Sequence, residues 1–148
     1  MEIKPTLLDY AILGLIQDKP LSGYGIRKMF AETALGSYSS SPGTIYPALK
    51  RLEKGMLIEK ETDENTSKSY FKITEKGISV LKKWFLKPIE KVEVEKKTGE
   101  LFLRFGFMEA LIEKEQRIYF LTSFRDLLII YISELEDYFN KEGENMPL

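Results

Sequence analysis

The sequence predicts a mainly α-helical protein with one small β-hairpin, in two parts: a compact amino-terminal domain and a carboxy-terminal helical segment. Three observations carry this. Apolar residues recur at helical spacing through most of residues 6–85; the period shortens to two only over residues 57–73; and a long apolar stripe runs from Leu121 to Tyr138.

The first helix is expected over Thr6–Gln17, with Thr6 as its cap after Pro5, Asp9 in its first turn, and Leu8, Ile12, Leu15 and Ile16 on one face. Asp18-Lys19-Pro20 ends it. Ser22 then caps a second helix, Leu21 and Ile26 hold the positions of a hydrophobic staple, and Met29 and Phe30 continue the buried face. Gly36 stands where a helix terminator is expected, and the polar run Ser37 to Ser41 reads as a loop. In the third helix Ile45, Ala48, Leu49 and Leu52 fall together. Gly43, Pro47, Lys50 and Lys54 face the other way, with Tyr46 and Arg51 at the margins. Pro47 removes a backbone donor, so this helix is either bent there or begins in earnest after it.

Leu57–Thr62 and Lys68–Ile73 read as two strands joined by the polar turn Asp63-Glu64-Asn65-Thr66-Ser67, with Tyr70 and Phe71 on opposite faces. Thr74 caps a fourth helix, in which Ile73 and Ile78 form a staple pair and Leu81, Trp84 and Phe85 are the apolar positions, until Pro88 stops it. Three helices, a hairpin and a helix are the winged helix-turn-helix plan. The predicted organisation is therefore a winged domain at 1–86, a charged linker at 87–98, a helical dimerisation segment at 99–142 and a tail at 143–148.

In that segment a short apolar helix starts at Leu101, and a long helix is expected from about Glu113 to Lys141. Leu121, Phe124, Leu128, Tyr131, Leu135 and Tyr138 repeat at alternating spacings of three and four, the pattern of a coiled-coil seam. Leu127, Ile129, Ile130 and Ile132 spread apolar surface around most of the helix. Each such side chain contributes roughly 1.5–3 kcal/mol when fully buried, so a second copy of the chain is the economical partner.

Composition removes whole classes of function. The chain contains neither cysteine nor histidine, which excludes disulfides, thiolate zinc sites and thiol redox chemistry and removes the commonest metal ligands and general base. No pair of carboxylates or lysines stands at a diagnostic catalytic spacing. We therefore expect no catalytic residue, no metal and no cofactor. No apolar run reaches membrane-spanning length, and the Met1-Glu2-Ile3-Lys4 start lacks a signal peptide's apolar stretch, so a cytoplasmic protein without membrane contact is expected. Charge is uneven: residues 1–84 hold 13 Lys and Arg against 10 Asp and Glu, and residues 85–148 hold 9 against 13. The amino-terminal part is the better partner for phosphates.

The third helix fits a DNA-reading role: one face is apolar, the other small at its start and basic towards its end. Gly43 lets the backbone approach a phosphate, Thr44 and Tyr46 offer hydroxyls, and Lys50 and Arg51 reach phosphates or base edges. Ser39 and Ser41 add donors just ahead. The competing reading of the same residues is an ordinary solvated face, and of the whole domain a protein-binding adaptor without DNA.

Five blocks carry a resemblance: Ile12-Leu13-Gly14-Leu15, Ser22-Gly23-Tyr24-Gly25-Ile26, the run from Gly43-Thr44-Ile45-Tyr46-Pro47 through Leu52-Glu53, Gly55-Met56-Leu57-Ile58, and Tyr70-Phe71-Lys72-Ile73-Thr74-Glu75-Lys76-Gly77. In order and spacing they resemble the PadR family of transcription regulators. The resemblance implies a homodimeric regulator, usually a repressor, that binds a pseudo-palindromic operator in double-stranded DNA and is released by a ligand or stress signal. The aromatic-rich tail could hold a small hydrophobic effector. It also implies that Ser22 and Tyr24 lie in a block facing the DNA backbone, with core packing as the other reading of Tyr24. Trp84 reads as packing ahead of ligand binding. Family wings carry several cations before the aromatic pair. Here Lys68 stands alone behind Asp63 and Glu64 and is the wing's one candidate contact to phosphate.

Overall fold

The computed structural model describes residues 2–33 and 42–145. The predicted loop around Gly36 and the candidate residues Ser39 and Ser41 lie outside them. The chain forms two compact units, Met1–Phe85 and Leu86–Leu148.

The first unit contains α1 (Leu7–Ile16), α2 (Gly23–Glu32), α3 (Pro42–Lys54), the strands β1 (Ile58–Thr62) and β2 (Ser69–Ile73), and α4 (Glu75–Phe85). Thr6 caps α1 through a reciprocal pair of bonds with Asp9: the Asp9 N–H donates to the Thr6 hydroxyl at 3.3 Å and the Thr6 N–H to the Asp9 carboxylate at 2.8 Å. Ala11, Ile12, Leu13 and Ile16 are all buried while Leu8 and Leu15 are half-buried, so α1 is enclosed more fully than a one-faced helix. Ser22 caps α2, its Oγ accepting the Gly25 N–H at 2.9 Å. Ile26 and Phe30, four apart, form the buried face. Met29 does not continue it but is 40% exposed, because it lies about 100° around the helix from Phe30.

Helix α3 runs through Pro47 without interruption, which removes the alternative of a start beyond that residue. Ile45, Ala48, Leu49 and Leu52 supply its core face. At its end Met56 takes a left-handed backbone, φ 63°, and the chain turns into β1. Ile58 pairs with Ile73 and Thr62 with Ser69 in the antiparallel hairpin. The hairpin also has a neighbour that periodicity did not reveal. Leu21, between α1 and α2, exchanges both backbone hydrogen bonds with Phe71, at 3.2 and 2.8 Å, and so ties the α1–α2 connection to the wing.

The start of α4 is fastened to the end of α3. Thr74 donates its N–H to the Leu57 carbonyl at 3.1 Å and its hydroxyl to the Met56 carbonyl at 2.7 Å, while its Oγ1 accepts the Gly77 N–H at 3.0 Å. Leu81 and Phe85 are buried. Trp84 stacks on Tyr10 of α1, centroids 4.5 Å apart and planes within 6°. Burial, reinforced by the neighbouring Asp9 charge, raises the pKa of the Tyr10 phenol above its ordinary 10.0.

The second unit contains α5 (Lys91–Lys96), α6 (Thr98–Phe107) and α7 (Lys114–Asn145). Residues 91–96, expected within a linker, instead form a helix, because Val94 gives this charged stretch one fully buried anchor. Lys91 pairs with Glu134 and joins α5 to α7. Leu101, Met108, Ile112 and Phe120 complete the small core. Arg104 is buried with them, its guanidinium 4.9 Å from the centre of the Phe120 ring. Desolvation pushes its pKa down, with Glu93 opposing the shift.

Candidate nucleic-acid interface

Of the predicted contact residues of α3, Gly43, Thr44, Tyr46, Lys50 and Arg51 are all exposed, opposite the buried Ile45, Leu49 and Leu52. The division follows from 3.6-residue spacing alone. The first turn is small and the last is basic, with Arg51 and Lys54 at the negative end of the helix dipole.

Tyr46 is held in place by α2. A methyl group built on Gly23 would lie 2.8 Å from Tyr46 Cε1 and 3.6 Å from the Phe71 ring, so the absent side chain of Gly23 is what lets the tyrosine ring lie on the start of α2. This contact brings three elements together: α3 through Tyr46, α2 through Gly23, and β2 through Phe71. Tyr24, the next residue of α2, is 65% exposed, which removes core packing as its explanation. Ser22 is half-buried, and its oxygen already serves the α2 cap.

Arg51 sits differently from Lys50. Its Nη2 donates to Oδ1 of Asp9, a carboxylate that is 0% exposed. Asp9 was legible as a first-turn acid, but nothing in the local spacing pointed to a partner forty-two residues away. Arg51 is thus an anchor of α3 as well as a surface cation.

The wing turn is built by its own polar groups. Asp63 accepts the Asn65 N–H on its carboxylate at 2.9 Å, the Asp63 N–H donates to the Lys68 carbonyl at 2.7 Å, and Ser67 takes a left-handed backbone at φ 59°. Asp63 therefore shapes the turn. Lys68 and Glu64 are both exposed.

In the second unit, Phe124, Leu128, Tyr131 and Leu135 of the predicted seam are half-buried. Phe124 meets Phe102 of α6 at 5.6 Å, so part of that seam is already occupied within the chain. Leu121 and Tyr138 are exposed. The most exposed apolar stripe of α7 is Ile118, Leu121, Ile129, Ile132 and Phe139, also at heptad-like intervals but rotated from the predicted seam.

Among the described residues no group of three or more Asp and Glu could hold a metal ion, and no helix is long and apolar enough to cross a membrane.

A three-helix core, a hairpin tied to it through Leu21, and a third helix with one buried and one polar face define a winged helix-turn-helix domain. Residues 12–83 match the transcriptional regulator PadR-like family and form a PadR-like domain. It is 32% identical over 112 residues to the negative transcriptional regulator PadR of Bacillus subtilis, a match covering 74% of this chain and 60% of that protein. The chain thus spans about three-fifths of that relative's length. Among solved structures, B. subtilis PadR in complex with operator DNA is 27% identical, with a TM-score of 0.50 and coverage of 97% of this chain and 81% of that one. A PadR family transcription regulator from Clostridium difficile R20291 is 29% identical, with a TM-score of 0.51 and coverage of 61% and 97%.

Proposed function

We propose that the protein is a homodimeric transcriptional repressor of the PadR type that reads a pseudo-palindromic DNA operator with α3, and that a small hydrophobic effector or a stress signal releases it. The observation carrying this reading is that α3 is two-sided: Thr44, Tyr46 and Lys50 are exposed, as is Tyr24 of the neighbouring α2, and Tyr46 lies against Gly23, while Ile45, Leu49 and Leu52 are core. An α-helix presented this way fits the major groove, and the hydroxyls and ammonium supply phosphate and base-edge contacts. The operator complex of the B. subtilis relative supports the same use of the fold.

The dimer rests on α7. Ile118, Leu121, Ile129, Ile132 and Phe139 each expose close to half or more of their surface along one stripe, and a second copy burying them would gain roughly 25 cal/mol for every Å² of apolar area removed from water. The aromatic cluster of Phe102, Phe105, Phe120 and Phe124 in the same unit supports an apolar effector site there.

Selection of bound duplexes from a random pool tests the function. A recovered pseudo-palindrome with half-sites about one helical turn apart establishes DNA reading and two-fold symmetry together. Recovery of no sequence, with no salt-dependent affinity for any duplex, would instead favour the adaptor reading, for which the acidic Glu64 at the wing is the supporting feature.

A further inference from the structure

The geometry points to the ion pair between buried Asp9 and surface Arg51 as a positioning device for the recognition helix, one that sets how α3 is presented to DNA without Arg51 itself neutralising a phosphate. This inference rests on the DNA-binding reading above and adds the residues that orient its helix.

Asp9 has no exposed surface, and both its carboxylate oxygens are engaged. Oδ2 accepts the Thr6 N–H at 2.8 Å, which belongs to the cap of α1, and Oδ1 accepts Arg51 Nη2 from the last turn of α3. One rigid carboxylate thus joins the start of α1 to the end of α3. A buried carboxylate without a partner is heavily penalised, and the planar guanidinium holds it in a defined direction, so the pair resists rotation in a way apolar contacts do not. The apolar contacts of Ile45, Leu49 and Leu52 are non-directional. The ion pair is directional. At the other margin of the helix, Tyr46 lies on Gly23. Two lateral contacts, one on each margin, fix the rotation of α3 about its own axis and hence the direction in which Thr44, Tyr46 and Lys50 point. Sites of this kind depend on such supporting contacts to within about 10–20°.

The pairing also changes what Arg51 can do. Its side chain is 42% exposed and lies beside Lys50, so by position alone it resembles a phosphate ligand. Its charge is already balanced by Asp9. A pair with no net charge releases no counterion when DNA arrives, whereas a free lysine does.

The test compares the full-length wild type with Asp9→Asn, Arg51→Gln and Arg51→Lys. Affinity is measured for a duplex selected by the wild type and for its scrambled counterpart, over a range of salt and well below every melting temperature. Asp9→Asn and Arg51→Gln are each expected to lower the preference for the selected duplex about ten-fold, in the range of one lost base-pair discrimination. In Arg51→Gln the salt slope stays at the wild-type value, and Arg51→Lys recovers most of the preference. Asp9 is the sharper probe, since a residue with no exposed surface cannot touch DNA.

A slope shallower by about 0.9 in Arg51→Gln, with equal losses on both duplexes, would make Arg51 a phosphate ligand and overturn the inference. Unchanged preference in Asp9→Asn or Arg51→Gln, with only the melting temperature lowered, would reduce the pair to a stabilising contact and overturn it too. Should Asp9→Asn not fold, the two Arg51 variants decide the matter alone. A wild type that selects no duplex removes the DNA-binding reading before any variant is made, and this inference falls with it.

Discussion

Replacing Gly77 by alanine should be among the most damaging single-methyl changes available to the winged unit. Gly77 lies in the first turn of α4, and a Cβ there would stand 2.2 Å from the Leu57 carbonyl oxygen, 2.7 Å from Ile73 Cγ1 and 3.2 Å from the Leu57 carbonyl carbon. The closest of these atoms is backbone and cannot rotate aside, so α4 must retreat by about 1 Å to restore ordinary contact. That movement strains the Thr74 N–H bond to Leu57 and the Thr74 hydroxyl bond to Met56. Each contributes about 0.5–1.5 kcal/mol net, and forced repacking against Ile73 adds about 1–3 kcal/mol. Alanine regains about 0.5–1 kcal/mol of helix propensity. The balance is a loss of about 3 kcal/mol, which lowers the melting temperature of a domain this size by about 12–24 °C. Trp84, the chain's one tryptophan, belongs to the same unit and is stacked on Tyr10, so its fluorescence during urea unfolding reports that unit. Gly106→Ala is the control: a Cβ there meets nothing within 4 Å and the residue lies in the second unit, so the Trp84 transition should stay where it is in wild type. A Gly77→Ala protein within about 0.5 kcal/mol of wild type would refute the close-approach argument.

Gly23→Ala should displace the Tyr46 ring and weaken operator binding in gel-shift titrations while lowering the melting temperature little, because the crowded atom is the end of a side chain. Charge reversal at the wing by Glu64→Lys should strengthen binding and steepen its salt dependence, and Lys68→Glu should do the reverse; equal slopes for both would mean that the wing does not touch DNA. Ile129→Glu together with Ile132→Glu should convert the proposed dimer to a monomer in sedimentation experiments, whereas a variant that still sediments as a dimer would move the interface off the exposed stripe of α7. Above pH 10 the folded state holds the Tyr10 proton that the unfolded chain has released, so this contribution is complete below pH 10 and declines as pH rises. Tyr10→Phe should flatten that part of the stability profile, and an identical profile would show that Tyr10 does not titrate abnormally.

Sequence patterns proved most informative where one element decides its own structure. The two faces of α3 needed only the spacing of Ile45, Ala48, Leu49 and Leu52, and the caps at Thr6, Ser22 and Thr74 needed only an oxygen placed ahead of an apolar run. The hairpin followed from the change of period after Gly55. Contacts between distant segments were not legible in this way. Leu21 pairs with Phe71 across fifty residues of chain, and a single bridging residue leaves no alternation to detect. Asp9 and Arg51 each had a sufficient local explanation, a helix cap and a basic last turn, so neither residue type called for the other.

The long helix shows why a period alone does not single out the face that meets a partner. Heptad spacing from Leu121 through Phe124, Leu128 and Tyr131 describes an apolar direction, and α7 has two of them, because Ile118, Ile129 and Ile132 form a second stripe. Periodicity gives phase and carries no label for the partner. The label comes from α5 and α6, short helices whose own patterns were weak: Val94 and Lys91 lie in a charged stretch, and Phe102 is the residue that reaches Phe124. Those helices cover part of one stripe, and the other remains exposed. Assigning a dimer face on a helix apolar around most of its circumference therefore depends first on finding the short helices that cover it from within.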